Sequence, residues 1–569
     1  MIQRARRLPW VDLLLVVGIA GLIFAFIGLG REWTGVHRAS VAIDLSPGAL
    51  PRYTMYSLFR GLFAYVLSLG FTLGYGYWAA KDRIAGRVLL PLLDILQSIP
   101  VLGFMPGLVL ALVALFPRSN IGLELAAVIM IFTAQAWNMT FSFVHSLRTL
   151  PSELGEAATV YRFGWWRRLR QVELPFATIG LVWNSMLSMA GGWFFLMINE
   201  SFQLGQRDFR LPGIGSYMSV AVEQGRTGAM LLAILAMTTM IVVLDQLLWR
   251  PVVVWAQKFR VEEGGEQAVM QSWFLDWMRE SRIVRAARRW LRDLRDRRRP
   301  PVPIAGVEPA LLVGPERAAR EGSLLSHAAL VFLVVVLAWG GVRLLHLLRD
   351  VPGATWGSAL TAGSLTLGRV LLSTFIGTLW ALPAGLVIGL SPRLSRVLQP
   401  VVQVAASFPA PMLFPLVIAL LASAGVSLGW GSILLMLLGT QWYILFNVIA
   451  GAMAIPTDLR EAGRSYGIRG WQRFKVIYFP GVFPYLVTGW VTAAGGAWNA
   501  SIVAEFVTFN GRTLQTRGLG AEISSAAASA NFTALAAAIL VMAMIVVAFN
   551  RTVWRWCYRL AEERFSLSK

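Results

Sequence analysis

Charge is scarce in this 569-residue chain: Asp, Glu, Lys and Arg make up 14% of it, against about 25% in a soluble domain. Lysine is scarcer still. Lys81, Lys258, Lys475 and Lys569 are all there is, so 51 − 4 = 47 of the basic residues are arginine. The single cysteine, Cys557, excludes an internal disulfide and any cysteine-based metal site. No stretch reads G-x-x-x-x-G-K-[ST], and no lysine stands in that context, so the chain cannot hydrolyse ATP through such a loop. Nothing in it suggests a catalytic residue, a bound metal or a cofactor.

What is abundant is apolar sequence, at 56% of the chain. Apolar segments fall near 10–29, 56–79, 88–117, 122–146, 176–199 and 227–249, and again near 325–347, 363–390, 398–422, 430–451, 481–503 and 530–552. Most reach the roughly 20 residues that cross a bilayer. Backbone groups in lipid must be satisfied within the segment, and the segments lack the alternation of a membrane barrel, so they read as helices. The expected fold is all-α: a polytopic membrane protein of about 12 transmembrane helices. Met1–Arg7 followed by an apolar run resembles a signal peptide. The run is long and lacks a small-residue cleavage site, and reads as a retained first helix.

The second half repeats the first. EAATVYRFGWWRRLRQVELP at 156–175 aligns with EAGRSYGIRGWQRFKVIYFP at 461–480 at an offset of 305. The same offset pairs Trp137 with Trp442, Trp193 with Trp498, Glu200 with Glu505, and Gly213-Ile214-Gly215 with Gly518-Leu519-Gly520. Upstream the offset is 309, pairing Arg60 with Arg369 and Pro100 with Pro409; extra residues near 117–122 account for the change. Six spans per half insert both halves the same way round, as two parallel six-helix repeats with the working site between them. The expected domains are a first half over 1–250 (core 55–250), a linker over 251–324, and a second half over 325–569 (core 363–556).

The net charge of +21 does not point to nucleic acid, because the arginines collect in a few loops between spans. Arg4, Arg6 and Arg7, the loop with Lys81, Arg83 and Arg87, and both Glu-Ala loops fall on one side if both termini are cytoplasmic. Residues 250–325 then form a cytoplasmic linker. Within it Trp273, Trp277, Ile283, Val284, Trp290, Leu291 and Leu294 suggest an amphipathic helix, and ten Arg face three acidic residues between Arg279 and Arg299. Such a helix suits an anionic membrane surface; a partly solvated spacer ended by Pro300-Pro301 is the alternative.

The Glu-Ala loops resemble the cytoplasmic motif of ABC importer permeases: Glu-Ala-Ala, a Gly six residues after the Glu, and a hydrophobic-Pro pair. Glu156-Ala157-Ala158 and Leu174-Pro175 match in the first copy, and Glu461-Ala462, Gly467 and Phe479-Pro480 in the second. The first copy has Arg162 where Gly is expected, with Gly164 nearby; the second has Gly463 as its third residue. The resemblance implies a type I importer permease fold in a bacterial inner membrane. It also implies two separate ATPase subunits docked on coupling helices and an extracytoplasmic substrate-binding protein. Small residues would let such a helix seat closely in a groove of the partner, and its carboxylate could meet a basic group. Since Arg enters a left-handed turn less readily than Gly, the first loop is expected to turn differently from the second, with Gly164 supplying the flexibility.

Matches within the spans resemble the nitrate, sulfonate, taurine and bicarbonate group of permeases, in fused form, which implies uptake of a small anion. A secondary transporter of two six-helix halves is the rival: Gly76…Lys81-Asp82-Arg83…Gly86-Arg87 is faintly similar to a loop motif of the major facilitator family. Arg60 and Arg369 lie within apolar helices. Each either attracts or gates an anion, or anchors the helix and pairs with a carboxylate such as Glu200 or Glu505. Ser98-Ile99-Pro100 and Ser407-Phe408-Pro409 read as helix breaks, either lining a pathway or kinking for packing. Trp137, Trp442, Trp193 and Trp498, with Gln97, Gln135, Asn138 and Gln441, are candidates for the same pathway or for interhelical contacts.

Overall fold

The computed structural model of the chain describes residues 10–35, 41–98, 100–204, 207–259, 272–281, 283–286, 289–290, 293, 324–509 and 512–565. The first half runs α1 (Trp10–Thr34), α2 (Leu50–Lys81), α3 (Arg83–Ser98), α4 (Val101–Leu115), α5 (Ile121–Arg148), α6 (Ser152–Val160) and α7 (Trp165–Asn199). A hairpin of β1 (Ser201–Leu204) and β2 (Arg207–Arg210) follows, then α8 (Ile214–Glu223) and α9 (Thr227–Phe259). The linker contributes α10 (Trp273–Glu280). The second half repeats the order: α11 (Leu324–Arg349), α12 (Gly353–Leu390), α13 (Pro392–Ser407), α14 (Phe414–Ser423), α15 (Leu428–Ala454), α16 (Thr457–Ser465) and α17 (Gly470–Ala504). Then come β3 (Phe506–Phe509), β4 (Arg512–Gln515), α18 (Leu519–Ala528) and α19 (Phe532–Arg564).

Nine helices among the described residues are long and apolar enough to cross a membrane, and two bent pairs raise the number to 11. Helix α1, 25 residues long and apolar through most of its length, occupies the place of the remaining expected span. The bent pairs are the two Ser-x-Pro segments. Helices α3 and α4 meet at 98°, and α13 meets the segment Ala410–Ser423 at 79°. Pro100 and Pro409 are extended (φ −61°, ψ 118° and φ −71°, ψ 110°) and stand just before the next helical segment, where the missing N–H breaks no helical hydrogen bond. Each pair still traverses the bundle. Helix α3 starts beside the end of α2, while the chain after α4 reaches Asn120, whose N–H donates to the Gly35 carbonyl (3.3 Å) just past the opposite end of α1.

Helices α2, α5 and α7 form the centre of the first half, and α12, α15 and α17 that of the second. Small residues permit the close approach that drives association in lipid. A Cβ on Gly385 of α12 would lie 2.6 Å from Val448 Cγ1 of α15, and one on Gly389 would lie 2.6 Å from Ala452 Cβ. The halves join by exchange: α4 packs on α17, α18 and α19, and α13 on α7 and α9. The broken helices are therefore the seam.

Two features depart from a strict six-helix repeat. Helix α1 lies on α2 of its own half, with Phe26 against Phe59 and Trp33 against Phe63. Helix α11 instead bridges α3 of the first half and α19 of the second. Ser326 Oγ donates to Asp82 Oδ2 (2.5 Å) and accepts from Trp78 Nε1 (2.8 Å). The linker's apolar pattern is helical but interrupted: beyond a break at Ser281 the described residues 283–286, 289–290 and 293 are helical again. Helix α10 is capped by Ser272 and stops at Ser281, whose backbone is extended and whose Oγ donates to Asp12 Oδ1 (2.6 Å). Trp273 Nε1 donates to Gln246 Oε1 (3.1 Å), so α10 sits against α1 and α9. Arg4, Arg6, Arg7, Leu291, Leu294 and Pro300-Pro301 lie outside the described residues.

Candidate functional site

Arg60 and Arg369 are both paired with carboxylates. Arg60 is completely buried; its Nε and Nη2 donate to Glu124 Oε2 (2.6 Å) and Oε1 (2.8 Å) of α5, its Nη1 to Glu200, and Nη2 also to the Pro212 carbonyl (3.1 Å). Glu200 accepts further from Ser57 Oγ (2.6 Å) and the Gly215 N–H (2.7 Å). The network ties α2, α5, the end of α7 and the start of α8. In the second half Arg369 donates to Glu505 Oε1 (2.6 Å), which also accepts from Thr366 Oγ1 (2.9 Å); Gly520 N–H donates to Glu505 Oε2 (2.9 Å). Here Gly429 stands at the position of Glu124, and Thr516 Oγ1 takes the second guanidinium bond (3.2 Å). Of the two alternatives read from the sequence, pairing is the one observed. Glu124 escaped that reading because the repeat does not duplicate it; its signal was a carboxylate inside an apolar helix.

The Glu…Gly-x-Gly spacing now has a cause. Gly213 and Gly518 are fully extended (φ 179° and 178°), so backbone strain does not require glycine. Space does: a Cβ would lie 2.2 Å from Glu200 Oε2 or Glu505 Oε2. The second glycine of each motif supplies the N–H that the carboxylate binds.

On the opposite side of the bundle, α6 and α16 each carry nine residues behind Pro151 or Pro456. Glu156, Ala157, Glu461 and Ala462 are exposed, and Tyr161 (72%) and Tyr466 (84%) project beyond them. The third motif residue does not join this face. Ala158 and Gly463 are buried, and a Cβ on Gly463 would lie 2.3 Å from Ile477 Cδ1 of its own chain. Their size is set by internal packing, which corrects the expectation that both small residues seat in a partner. The register explains the difference between copies: Ala158 goes with Val172, Gly463 with the larger Ile477.

The expected difference in turn at Arg162 is also corrected. Arg162 (φ 48°) and Gly467 (φ 68°) are both left-handed. The hydrogen bonds match: Arg162 N–H to Thr159 O and Phe163 N–H to Ala158 O, against Gly467 N–H to Arg464 O and Ile468 N–H to Gly463 O, all 2.9–3.0 Å. Gly164 is extended (φ −63°, ψ 160°) and supplies no special turn. The loops part three residues later, where Gly470 (φ 53°) aligns with Trp165, which is not left-handed. The first loop is bound to its spans by charge: Glu173 Oε1 meets Lys81 Nζ at 2.7 Å and Arg168 Nε at 3.2 Å. In the second, Arg473 instead lies over the Tyr478 ring, 5.1 Å from its centroid. Immediately after each loop the helix widens into a π-helical turn, at Leu169–Glu173 and Phe474–Tyr478; a second pair is at Asp245–Trp249 and Asn550–Trp554. Such turns mark strained or functional stretches of helix.

Between the halves lies a cavity of about 190 Å³, bounded by the start of α4 and by α5, α7, α15, α17 and α19. Pro100, Trp137 and Trp498 line it, with Gln97 and Asn138; Tyr443, Thr440 and Asn499 line it too and were not singled out by the sequence. The other candidates stand elsewhere. Trp193 packs on Gly61, where a Cβ would be 2.6 Å from its ring. Trp442 packs edge-on against Trp380 and donates to the Leu438 carbonyl (3.1 Å). Ser407 Oγ is turned back to the Gln403 carbonyl (2.8 Å), Pro409 precedes a 3₁₀ turn, and the side chain of Ser98 lies outside the described residues. Gln135 accepts from Ser68 (3.3 Å), and neither it nor Gln441 borders the cavity. Arg60, Arg369, Glu200 and Glu505 do not border it either.

Comparison with known proteins agrees with this architecture. A family model described as binding-protein-dependent transport system inner membrane component matches twice, over residues 70–248 and 373–554. The taurine transport system permease protein TauC of Escherichia coli (strain K12) is 28% identical over 184 residues, 32% of this chain and 62% of that protein. The nitrate import permease protein NrtB of Synechocystis is 29% identical over 142 residues, 25% of this chain and 50% of that protein. The bicarbonate transport system permease protein CmpB of Synechocystis is 28% identical over 143 residues, 25% of this chain and 49% of that protein. The matched stretches thus span about half to 62% of these relatives.

Proposed function

Because the chain belongs to the family of binding-protein-dependent transport system inner membrane components, we propose that it is the transmembrane permease of an ATP-driven uptake system for a small anion. One fused chain supplies both permease halves. Two ATPase subunits dock on α6 and α16, a binding protein delivers solute to the opposite face, and both termini are cytoplasmic. The observation that carries this reading is the pair of exposed Glu-Ala helices, identical in length and turn, on the arginine-rich side of a two-fold bundle.

The arrangement supports alternating access. A displacement of α6 passes into α7 through the short turn at 161–164 and the packing of α6 on Leu169–Glu173, while Lys81 ties that end of α7 to α2 through Glu173. Helix α7 runs from there past the cavity to Glu200, which is pinned to α2 and α8. The same path runs from α16 through α17 to Glu505. Closure of an ATPase dimer would thus tilt α7 and α17 about their pinned far ends and change the cavity between them. The test is the Glu156→Ala, Glu461→Ala double variant in the assembled system. Each carboxylate contact to a charged partner contributes roughly 1.5–3 kcal/mol. Co-purification of the ATPase should weaken and uptake should uncouple from ATP hydrolysis, while the melting temperature of the permease holds. Full assembly and full transport would refute the docking role.

A further inference from the structure

The cavity between the halves carries no charge, yet holds polar groups with nothing to bind. Among its described lining residues there is no Asp, Glu, Lys or Arg. Trp137 Nε1 is buried and has no hydrogen-bond partner. The side chains of Gln97, Asn138 and Tyr443 also border the cavity and make no hydrogen bond to another described residue. Tyr443 reaches across the seam: its hydroxyl is 3.9 Å from where a Cβ on Gly191 of the other half would lie. A buried donor left unpaired costs about 1–3 kcal/mol, and native structures rarely keep one without a ligand or water to fill it.

We propose that Gln97, Trp137, Asn138 and Tyr443 form a transient binding site for a small oxyanion, held by neutral donors alone. The inference rests on the reading of this chain as an anion permease and names the site and the chemistry. An indole N–H can only donate, so what it binds must accept; a cation could not use it. A fixed arginine in a cavity with no countercharge would hold an anion too strongly for release, and conduction needs binding weak enough to leave. Arg60 and Arg369 are committed to carboxylates outside the cavity.

There is one such site and not two, because the repeat fails here. The equivalent of Gln97 is Ala406, and that of Asn138 is Tyr443, which already belongs to the site. The equivalent of Trp137 is Trp442, whose indole N–H is spent on the Leu438 carbonyl of its own helix. The donors therefore gather on one side of the pseudo-two-fold axis, three from the first half and one from the second.

The experiment uses the full chain assembled with its ATPase and binding protein in proteoliposomes, with labelled nitrate, bicarbonate and taurine as probes. For whichever probe is carried, Trp137→Phe should lower kcat/KM of uptake roughly ten-fold, the loss expected of one hydrogen bond to a charged group. Trp442→Phe, which removes the equivalent indole outside the site, should change it less than two-fold. Asn138→Asp, equal in size but negative, should reduce uptake more than Asn138→Ala does. If a probe is carried and these substitutions leave its uptake unchanged, or if Asn138→Asp matches Asn138→Ala, the site is overturned while the anion-permease reading stands. If the assembly carries a cationic or neutral solute and none of the probes, the permease reading itself loses its substrate class and the site falls with it.

Discussion

Replacing Gly213 by Ala tests whether the outer arginine network is held together as described. The new methyl would lie 2.2–2.4 Å from three atoms of the Glu200 carboxyl group. Gly213 is extended (φ 179°), so alanine fits the backbone and any cost must come from that collision. The carboxylate would have to leave the position where it meets Arg60, Ser57 and the Gly215 N–H. Arg60 keeps both bonds to Glu124, so the charge left without its partners is that of Glu200, which is completely buried. Unpairing a buried charge costs roughly 3–5 kcal/mol. Gly518→Ala makes the same collision with Glu505, which is equally buried, and leaves Arg369 only the neutral Thr516, so its cost should be similar. Gly368→Ala is the control: nothing lies within 4 Å of its Cβ, and in a helix alanine should be neutral or stabilising by up to about 1 kcal/mol. Thermal unfolding of the three purified variants beside the parent protein should place Gly213→Ala and Gly518→Ala both well below the parent, with Gly368→Ala at or above it. A Gly213→Ala protein that melts with the parent would refute the claim that the carboxylate occupies the space of the missing side chain.

Three further outcomes follow from particular contacts. Gly463→Ala should destabilise α16 by collision with Ile477, and adding Ile477→Val, which recreates the Ala158–Val172 combination of the first half, should restore it; a double variant no more stable than the single one would disprove the compensation. Arg162→Gly and Ala530→Gly should each stabilise their turns by roughly 1 kcal/mol, because both residues are left-handed (φ 48° and 52°), seen as slower amide exchange at Phe163 and Asn531. Asp82 is shielded, which raises its pKa, but Ser326 and the N–H groups of Ala85 and Ile84 outweigh that and hold it below the usual carboxylate range. Its cap and its link to α11 should therefore be fully present above about pH 4 and be lost only as pH falls below that value, through the lowered pKa; Asp82→Asn should remove this acid-dependent step from the melting curve.

How far the sequence reached can be read from individual positions. Paired breaks at Pro100 and Pro409 were legible because the Ser-x-Pro pattern recurs at the repeat offset; proline alone did not mark them, since Pro91, Pro106, Pro400 and Pro484 stand inside helices. The Glu-Ala helices were legible because the duplication displays them twice. The turn at Arg162 was misread because glycine was taken as the cause of a left-handed residue. The structure keeps that conformation at both members of each pair, Arg162 with Gly467 and Gly225 with Ala530, so the flanking hydrogen bonds impose it and glycine only makes it cheaper.

By itself, then, the sequence determined the class of molecule. Apolar length, arginine placement and a repeat at a fixed offset are local or periodic properties, and they settle an all-α membrane protein of two like halves. The tertiary structure decided what the polar residues do. Glu124, with no counterpart in the repeat, completes the Arg60 network. Helix α11 bridges the two halves, where a strict repeat would lay it on α12. Trp137 faces an uncharged cavity while its equivalent Trp442 turns to its own helix. Each of these outcomes depends on which side chain lies across an interface, and the spacing of residues along one chain does not contain that distance.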